Sequence, residues 1–338
     1  MSQQNTAPTA DGRAIPSSMR AAVIDGLGPA ELLHVAEVPV PVRVSDEVLV
    51  RVVAAAVNPI DAKTRAGRGV AAAITAYPLI LGLDFAGIIE QVPYAAHPLQ
   101  PGDAVYGMGR VPRAGGSYAE YMTVSSMSVA PKPATLSFAE AAAVPVAALT
   151  AWGMVVEVAK AHQGQRILVH AGAGGVGHFA VQFARFFGAE VAATCSAENA
   201  EFVRGLGADT VIDYRSERFE DVVSDVDVVI DLIGNVHADT GTRSLDVLRP
   251  GGLLVNAPTG SWPSMVADAA ARGIRATGFN TSPDARTLAV ITRLIEQGQV
   301  RPHVDRVFPL AEAAEAHRVQ EAGHVRGKLI LQVDDTVR

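Results

Sequence analysis

The sequence predicts an α/β protein with a doubly wound, six-stranded parallel sheet and a second domain built as a partly open β-barrel. Three observations predict it. Residues 166–196 read strand, glycine turn, helix, strand. From there to residue 279, short apolar runs alternate with stretches of helical spacing, the pattern of a parallel sheet with crossover helices. Between residues 19 and 124, short strand-like runs follow one another at short spacing, punctuated by glycine and proline.

The glycine turn organises the chain. Arg166–Ala171 is a short apolar run that reads as a buried strand. Gly172-Ala173-Gly174-Gly175-Val176-Gly177 then fits G-x-G-x-x-G. Phe179, Val181, Phe183, Ala184 and Phe187 follow at helical spacing, and Val191–Thr194 is a second strand. In this context Gly172 permits the tight turn, Gly174 lets backbone approach a pyrophosphate, and Gly177 lets the helix lie close to the strand. The backbone of Gly175 and Val176 should meet that pyrophosphate, beneath the positive end of the helix dipole.

Beyond the turn, strands are expected at Ile167–Ala171, Val191–Thr194, Thr210–Asp213, Val226–Ile233, Gly252–Ala257 and Ile274–Phe279. Helices are expected between them at about 178–187, 198–206, 217–224, 238–249 and 263–272. A doubly wound sheet binds its nucleotide at the carboxyl ends of the strands. Those ends carry Ile233, then Asn256 and Ala257, then Phe279 and Asn280. Thr150, just ahead of the glycine turn, is assigned with them to the nicotinamide end.

The first half is read as strands at Met19–Asp25, Glu47–Val53, Leu81–Val92, Asp103–Met108 and Ser117–Val124. Ser137 and Glu140 have capping-box spacing, so a helix is expected over Ser137–Ala143. Pro145 should end or kink it, and Leu149–Ala161 should be a second helix. Arg286–Gln297 is an amphipathic helix. Val307–Leu310, Ala311–Glu321 and Leu329–Val333 close the chain as strand, helix, strand, either at an edge of the parallel sheet or back in the barrel.

Bulk properties exclude several classes. A chain of 338 residues suggests two domains. Its formal net charge of −7 and lack of basic clusters argue against a nucleic-acid partner. The single cysteine, Cys195, excludes an internal disulfide framework and a thiolate zinc cluster, and fits a cytoplasmic setting. The longest apolar candidate, Ala139–Val158, is broken by Pro145 and carries Glu140 and Glu157, so no membrane span is expected. Residues 1–18 are polar and read as a mobile tail.

Several motifs recur in the order of one family. They are Val57-Asn58-Pro59-Ile60-Asp61 with Lys63, Gly82-Leu83-Asp84-Phe85-Ala86-Gly87, and Pro101-Gly102-Asp103-Ala104-Val105-Tyr106-Gly107. Gly115-Gly116-Ser117-Tyr118-Ala119-Glu120-Tyr121, Leu149-Thr150-Ala151-Trp152 and the fingerprint follow, then Leu206-Gly207-Ala208-Asp209, Ala316-His317 and Arg326-Gly327-Lys328. Over residues 19–335 the chain resembles the zinc-free branch of the medium-chain dehydrogenase/reductase superfamily, near the quinone and enone oxidoreductases. The resemblance implies a GroES-like catalytic domain over 19–136 and 281–338, a Rossmann domain over 137–280, and a homodimer. It implies hydride transfer from a nicotinamide to an enone or quinone, with Asn58, Asp61 and Lys63 as catalytic candidates and Arg326 and Lys328 reaching the cofactor.

Zinc-dependent members place histidine where this chain has Leu83, and the early cysteine is missing, so no metal is expected. An acidic residue at the end of the second strand would select NAD. Here Ser196 stands there, with Asn199 nearby and Tyr214 ending the third strand, which favours NADPH. Glu198 opposes that preference, and Arg215 or Arg218 would supply positive charge. Asn58, Pro59 and Asp61 would equally make an ordinary helix start. Two further readings stay open: a pathway-specific biosynthetic reductase or cyclase, and a non-catalytic cofactor-binding relative.

Overall fold

The computed structural model describes residues 14–110, 112 and 115–337. Most of the expected N-terminal tail lies outside the described residues. The chain divides into two compact units. One comprises the residues up to Val146, Pro283–Gln297 and the segment from Pro302 onward; the other comprises Ala147–Ser282 and Gly298–Arg301.

The first unit begins with β1 (Ser18–Ile24), β2 (His34–Pro39), β3 (Glu47–Val57), α1 (Pro59–Arg65), β4 (Leu79–Ile80), β5 (Asp84–Gln91), β6 (Ala104–Met108), β7 (Tyr121–Ser125), β8 (Val129–Pro131) and α2 (Phe138–Ala142). β1 lies between β2 and β4 in a three-stranded sheet. β3 is the longest strand and organises the larger sheet, pairing antiparallel with β5 and β7. Its alternation buries Val48, Val50 and Val52 against Phe85, Ile89 and Met122 in the main core. Full burial of each such side chain is worth about 1.5–3 kcal/mol.

The second unit carries the parallel sheet. After α3 (Pro145–Trp152) come β9 (Arg166–Val169), α4 (Gly177–Phe186), β10 (Glu190–Cys195), α5 (Ala200–Gly205), β11 (Thr210–Asp213), β12 (Val226–Asp231), α6 (Thr240–Ser244), β13 (Leu248–Asn256), α7 (Met265–Ala270) and β14 (Arg275–Gly278). The strand order is β11-β10-β9-β12-β13-β14, and every neighbouring pair is parallel. This is the doubly wound sheet expected from the sequence, with its order reversing between β9 and β12.

The chain then returns to the first unit through α8 (Ala285–Glu296), β15 (Val304–Pro309), α9 (Ala313–Ala322) and β16 (Lys328–Gln332). β16 pairs antiparallel with β3, Leu329 opposite Val57, and parallel with β15. The C-terminal segment therefore completes the barrel sheet rather than extending the parallel one.

Some elements differ from their expected form. The helix expected over Ser137–Ala143 stops just ahead of Pro145, which also opens the next helix, because a first-turn residue needs no backbone N–H. The expected helix over Leu149–Ala161 widens into a π turn over Gly153–Val158. There the Phe279 ring lies against Gly153, and a Cβ on Gly153 would sit 2.0 Å from it. The expected helix at 238–249 shrinks to α6 because Leu248 is drawn into the sheet opposite Val226. The strands β2, β4 and β8 were not expected; β2 is an edge strand whose residues are mostly exposed, so its apolar signal is weak. Among the described residues, no helix is long and apolar enough to cross a membrane.

Candidate active site

The nucleotide end of the parallel sheet is built from close backbone approaches. Gly172 N–H donates to Thr194 O at 2.8 Å, tying the turn to β10. Ala171, with φ of +52°, turns the chain, and Gly174 N–H returns to its carbonyl at 2.9 Å. A Cβ on Gly177 would lie 2.0 Å from that same oxygen, so only glycine lets α4 start this close to β9. No side chain caps the N-terminus of α4; the N–H groups of His178 and Phe179 turn back to the Gly174 and Val176 carbonyls, and the positive end of the helix dipole lies at Gly175–Gly177. The cradle fits a pyrophosphate.

A buried histidine braces this turn. Ser244 Oγ donates to Thr240 O, so it accepts from His170 Nε2 at 2.9 Å. His170 Nδ1 then accepts from Thr194 Oγ1 at 3.1 Å, and Thr194 Oγ1 accepts from Ala171 N–H. Burial lowers the His170 pKa to about 4, consistent with this neutral form.

At the end of β10, Ser196 and Asn199 are buried and bonded together: Asn199 Nδ2 donates to Ser196 Oγ at 3.0 Å. Ser196 Oγ donates to Glu198 Oε1 at 3.1 Å, and Arg215 pairs with Glu198 Oε2 at 3.4 Å. The Arg215 guanidinium also lies over the ring of Tyr214, which is 49% exposed.

The remaining strand ends are held by Asp231, a fully buried residue that the motif reading missed. Its carboxylate accepts from the N–H groups of Ile233 and Gly234 and from Asn256 Nδ2. Its carbonyl takes Ala257 N–H, and Asn256 O takes Phe279 N–H at 2.8 Å. Asn280 Oδ1 accepts from Thr259. Thr150 is buried on α3. The expected cofactor residues Ile233, Asn256, Ala257 and Phe279 thus share one hydrogen-bonded edge.

In the first unit, Asn58 precedes Pro59 at the start of α1, and Asp61 Oδ2 accepts Asn58 N–H at 2.9 Å. The Asn58 side chain is committed to neighbours. Its Oδ1 accepts from Lys328 Nζ at 2.5 Å, while Nδ2 donates to Asp84 Oδ2 at 3.0 Å and Ala56 O at 3.4 Å. Lys328 also pairs with Asp84 at 3.2 Å, and both are buried. Lys328 was expected at the cofactor; the structure places its ammonium in this cluster of the first unit. Gly327 fixes the approach of β16, since a Cβ there would lie 2.2 Å from His303 O. Arg326, its expected companion, is half-buried in the preceding bend.

Asp61 joins a second buried chain. Arg65 Nε donates to His317 Nδ1 at 3.3 Å, so His317 carries its proton on Nε2. That proton is donated to Tyr118 Oη at 3.2 Å, and the Tyr118 hydroxyl donates to Asp61 Oδ2 at 3.2 Å. Burial pushes the Asp61 carboxyl up to about 7, with the Asp84 charge adding and Lys328 opposing. Burial and the Arg65 charge lower His317 to about 3. Of the two roles open to Asp61, positioning Lys63 or positioning the loop, its bond to Asn58 N–H fits the second. The structure separates it from Lys63: Asp61 and Arg65 share the buried face of α1, and Lys63, two residues from each, lies half-exposed on another.

Among the described residues, no group of three His, Cys, Asp or Glu side chains is placed to hold a metal ion. Asp61 and Asp84 are instead served by hydrogen bonds and Lys328.

Residues 44–134 match the alcohol dehydrogenase GroES-like domain, and residues 206–331 match a family described as zinc-binding dehydrogenase. An NADPH-dependent alkenal/one oxidoreductase of Arabidopsis thaliana is 37% identical, over 96% of this chain and 81% of the relative. The chain belongs to the medium-chain dehydrogenase/reductase superfamily. A 2-methylene-furan-3-one reductase of Solanum lycopersicum is 36% identical, over 98% of this chain and 83% of its own. The structure of a quinone oxidoreductase from Coxiella burnetii superposes with a TM-score of 0.87 and 36% identity, covering 94% of this chain and 100% of that one. These relatives place this oxidoreductase with the quinone and enone members of the superfamily.

Proposed function

We propose that this chain is an NADPH-dependent reductase that delivers hydride to an α,β-unsaturated carbonyl compound or a quinone without a metal. The observation that carries this reading is the end of β10, where Ser196, Asn199 and Arg215 gather as donors beside the glycine cradle. The alkenal/one and furanone reductases among the relatives support the substrate class.

The nicotinamide, when bound, supplies the hydride. The chain's own residues bind and orient. The backbone of Gly175 and Val176, at the positive end of α4, takes the pyrophosphate, and the edge built on Asp231 holds Asn256 and Phe279 for the nicotinamide end. Charge developing on the substrate oxygen needs a donor rather than a metal. Asn58 has spent its amide hydrogens on Asp84 and Ala56. Lys63, half-exposed on α1, retains an ammonium for that oxygen, and we assign it that task. Asn58 and Asp61 hold the turn from which Lys63 projects.

The test is NADPH consumption by chelator-washed protein against a panel of small enones and quinones. Turnover without stoichiometric zinc supports the reading; zinc-dependent turnover overturns its metal-free part. NADPH binding with no turnover on the panel favours a pathway-specific reductase or cyclase, or a non-catalytic relative. A homodimer joined along the edge strand β14 is part of the same proposal, and a monomer in solution scattering would remove it.

A further inference from the structure

We propose that Glu198 is a specificity-determining residue that occupies the 2′-phosphate donors itself and so weakens the preference for NADPH over NADH. The proposal rests on the reading of the second unit as an NADP(H) site. Ser196, at the end of β10, stands where the adenosine ribose lies in a sheet of this kind. Its hydroxyl hydrogen is given to Glu198 Oε1 at 3.1 Å. Asn199 Nδ2 fixes that hydroxyl from the other side at 3.0 Å, so its hydrogen points outward, toward Glu198. The second carboxylate oxygen takes Arg215 Nη1 at 3.4 Å, and the guanidinium rests on the Tyr214 ring. One carboxylate thus bridges a hydroxyl donor and a cation, the two kinds of partner a ribose phosphate requires.

A phosphate dianion and a carboxylate cannot share these donors, because their charges repel. Binding a 2′-phosphorylated nucleotide therefore displaces Glu198 and takes Ser196 and Arg215 in its place. A nucleotide with a free 2′-hydroxyl leaves the pair standing. Displacement is cheap: Glu198 and Arg215 are 58% and 47% exposed, and exposed ion pairs are weak. Glu198 therefore lowers the NADPH preference without abolishing it.

The test is calorimetric titration of the full chain with 2′,5′-ADP and with 5′-AMP, comparing the native protein with Glu198→Gln. Glu201→Gln, on the exposed side of α5, controls for loss of one negative charge. For Glu198→Gln, affinity for 2′,5′-ADP should rise roughly three- to tenfold and for 5′-AMP stay within about twofold, with Glu201→Gln changing neither by more than about twofold. Equal gains in both glutamine variants, or no gain in either, overturn the proposal while leaving the NADP(H) reading in place. Weaker 5′-AMP binding in Glu198→Gln also overturns it, since Glu198 would then be an acceptor for the ribose hydroxyl. If the native protein binds neither nucleotide nor NADPH, the NADP(H) reading fails and this proposal falls with it.

Discussion

Lys328 Nζ donates to Asn58 Oδ1 at 2.5 Å, joining residues 270 positions apart in the chain. The bond fixes which way the Asn58 amide faces, because an oxygen must meet the ammonium and the nitrogen must then meet Asp84. It also pins the first turn of α1 to the last strand of the barrel. The ammonium compensates a carboxylate that is wholly removed from water.

Removing that ammonium should therefore expose the whole burial penalty of Asp84. Lys328→Met is expected to destabilise the chain by about 3–5 kcal/mol, and Lys328→Met with Asp84→Asn by clearly less than the sum of the single changes. Urea unfolding of the four proteins measures this coupling. Additive losses would show that the pair carries no coupling energy.

Lys63 should behave in the opposite way. Lys63→Met is expected to leave stability within about 0.5 kcal/mol, as for an ordinary surface change. It should lower kcat/KM for an enone roughly tenfold or more while the NADPH dissociation constant stays unchanged. Unchanged kcat/KM would remove Lys63 from the mechanism.

Two glycines of the turn separate folding from binding. Gly177→Ala forces a Cβ to 2.0 Å from Ala171 O, so it should cost about 1–3 kcal/mol of stability as well as affinity. Gly174→Ala brings its Cβ only to 3.3 Å from the same oxygen. Its melting temperature should stay near that of the native protein, while NADPH binding weakens by about tenfold through the blocked approach to the pyrophosphate. Thermal melts with and without NADPH distinguish the two.

Asp61 and His317 should bend the pH dependence of stability in opposite senses. Asp61 binds its proton more tightly when folded, so its contribution is lost as pH rises from about 4 toward about 7. His317 is held neutral, so its contribution is lost as pH falls from about 6.5 toward about 3. Asp61→Asn should therefore gain stability at pH 7.5 relative to pH 5, and His317→Gln at pH 5 relative to pH 7.5. Urea midpoints at the two pH values test both signs, and parallel shifts would refute the assignment.

Much of the nucleotide half was legible in the residues. Its parts are local: Gly172–Gly177, the apolar spacing of α4 and the alternating strands lie within one continuous stretch, and their chemistry follows from backbone geometry. The barrel half was legible only as pieces. Asn58, Asp84, Tyr118, His317 and Lys328 each sit in a recognisable motif, but nothing in their spacing says that they meet. Lys63 is the cation closest to Asp61 in sequence. Helical geometry turns it to another face, and β16 delivers Lys328 to the buried cluster instead. Asp231 escaped notice because an acidic residue at the end of an apolar strand resembles an ordinary strand terminus.

The sequence by itself determined the class of the protein, the doubly wound, six-stranded character of its parallel sheet and the place of the dinucleotide turn. Those features depend on periodicity, on glycine where no side chain fits, and on the handedness of strand–helix–strand units, all of which act over short range. Only the tertiary structure decided which charges share a buried space. Burial raises the energy of an unpaired ion until some partner, from anywhere in the chain, reaches it. That partner is chosen by how the strands pair, so Lys328 rather than Lys63 meets Asp84, and Glu198 rather than solvent meets Ser196.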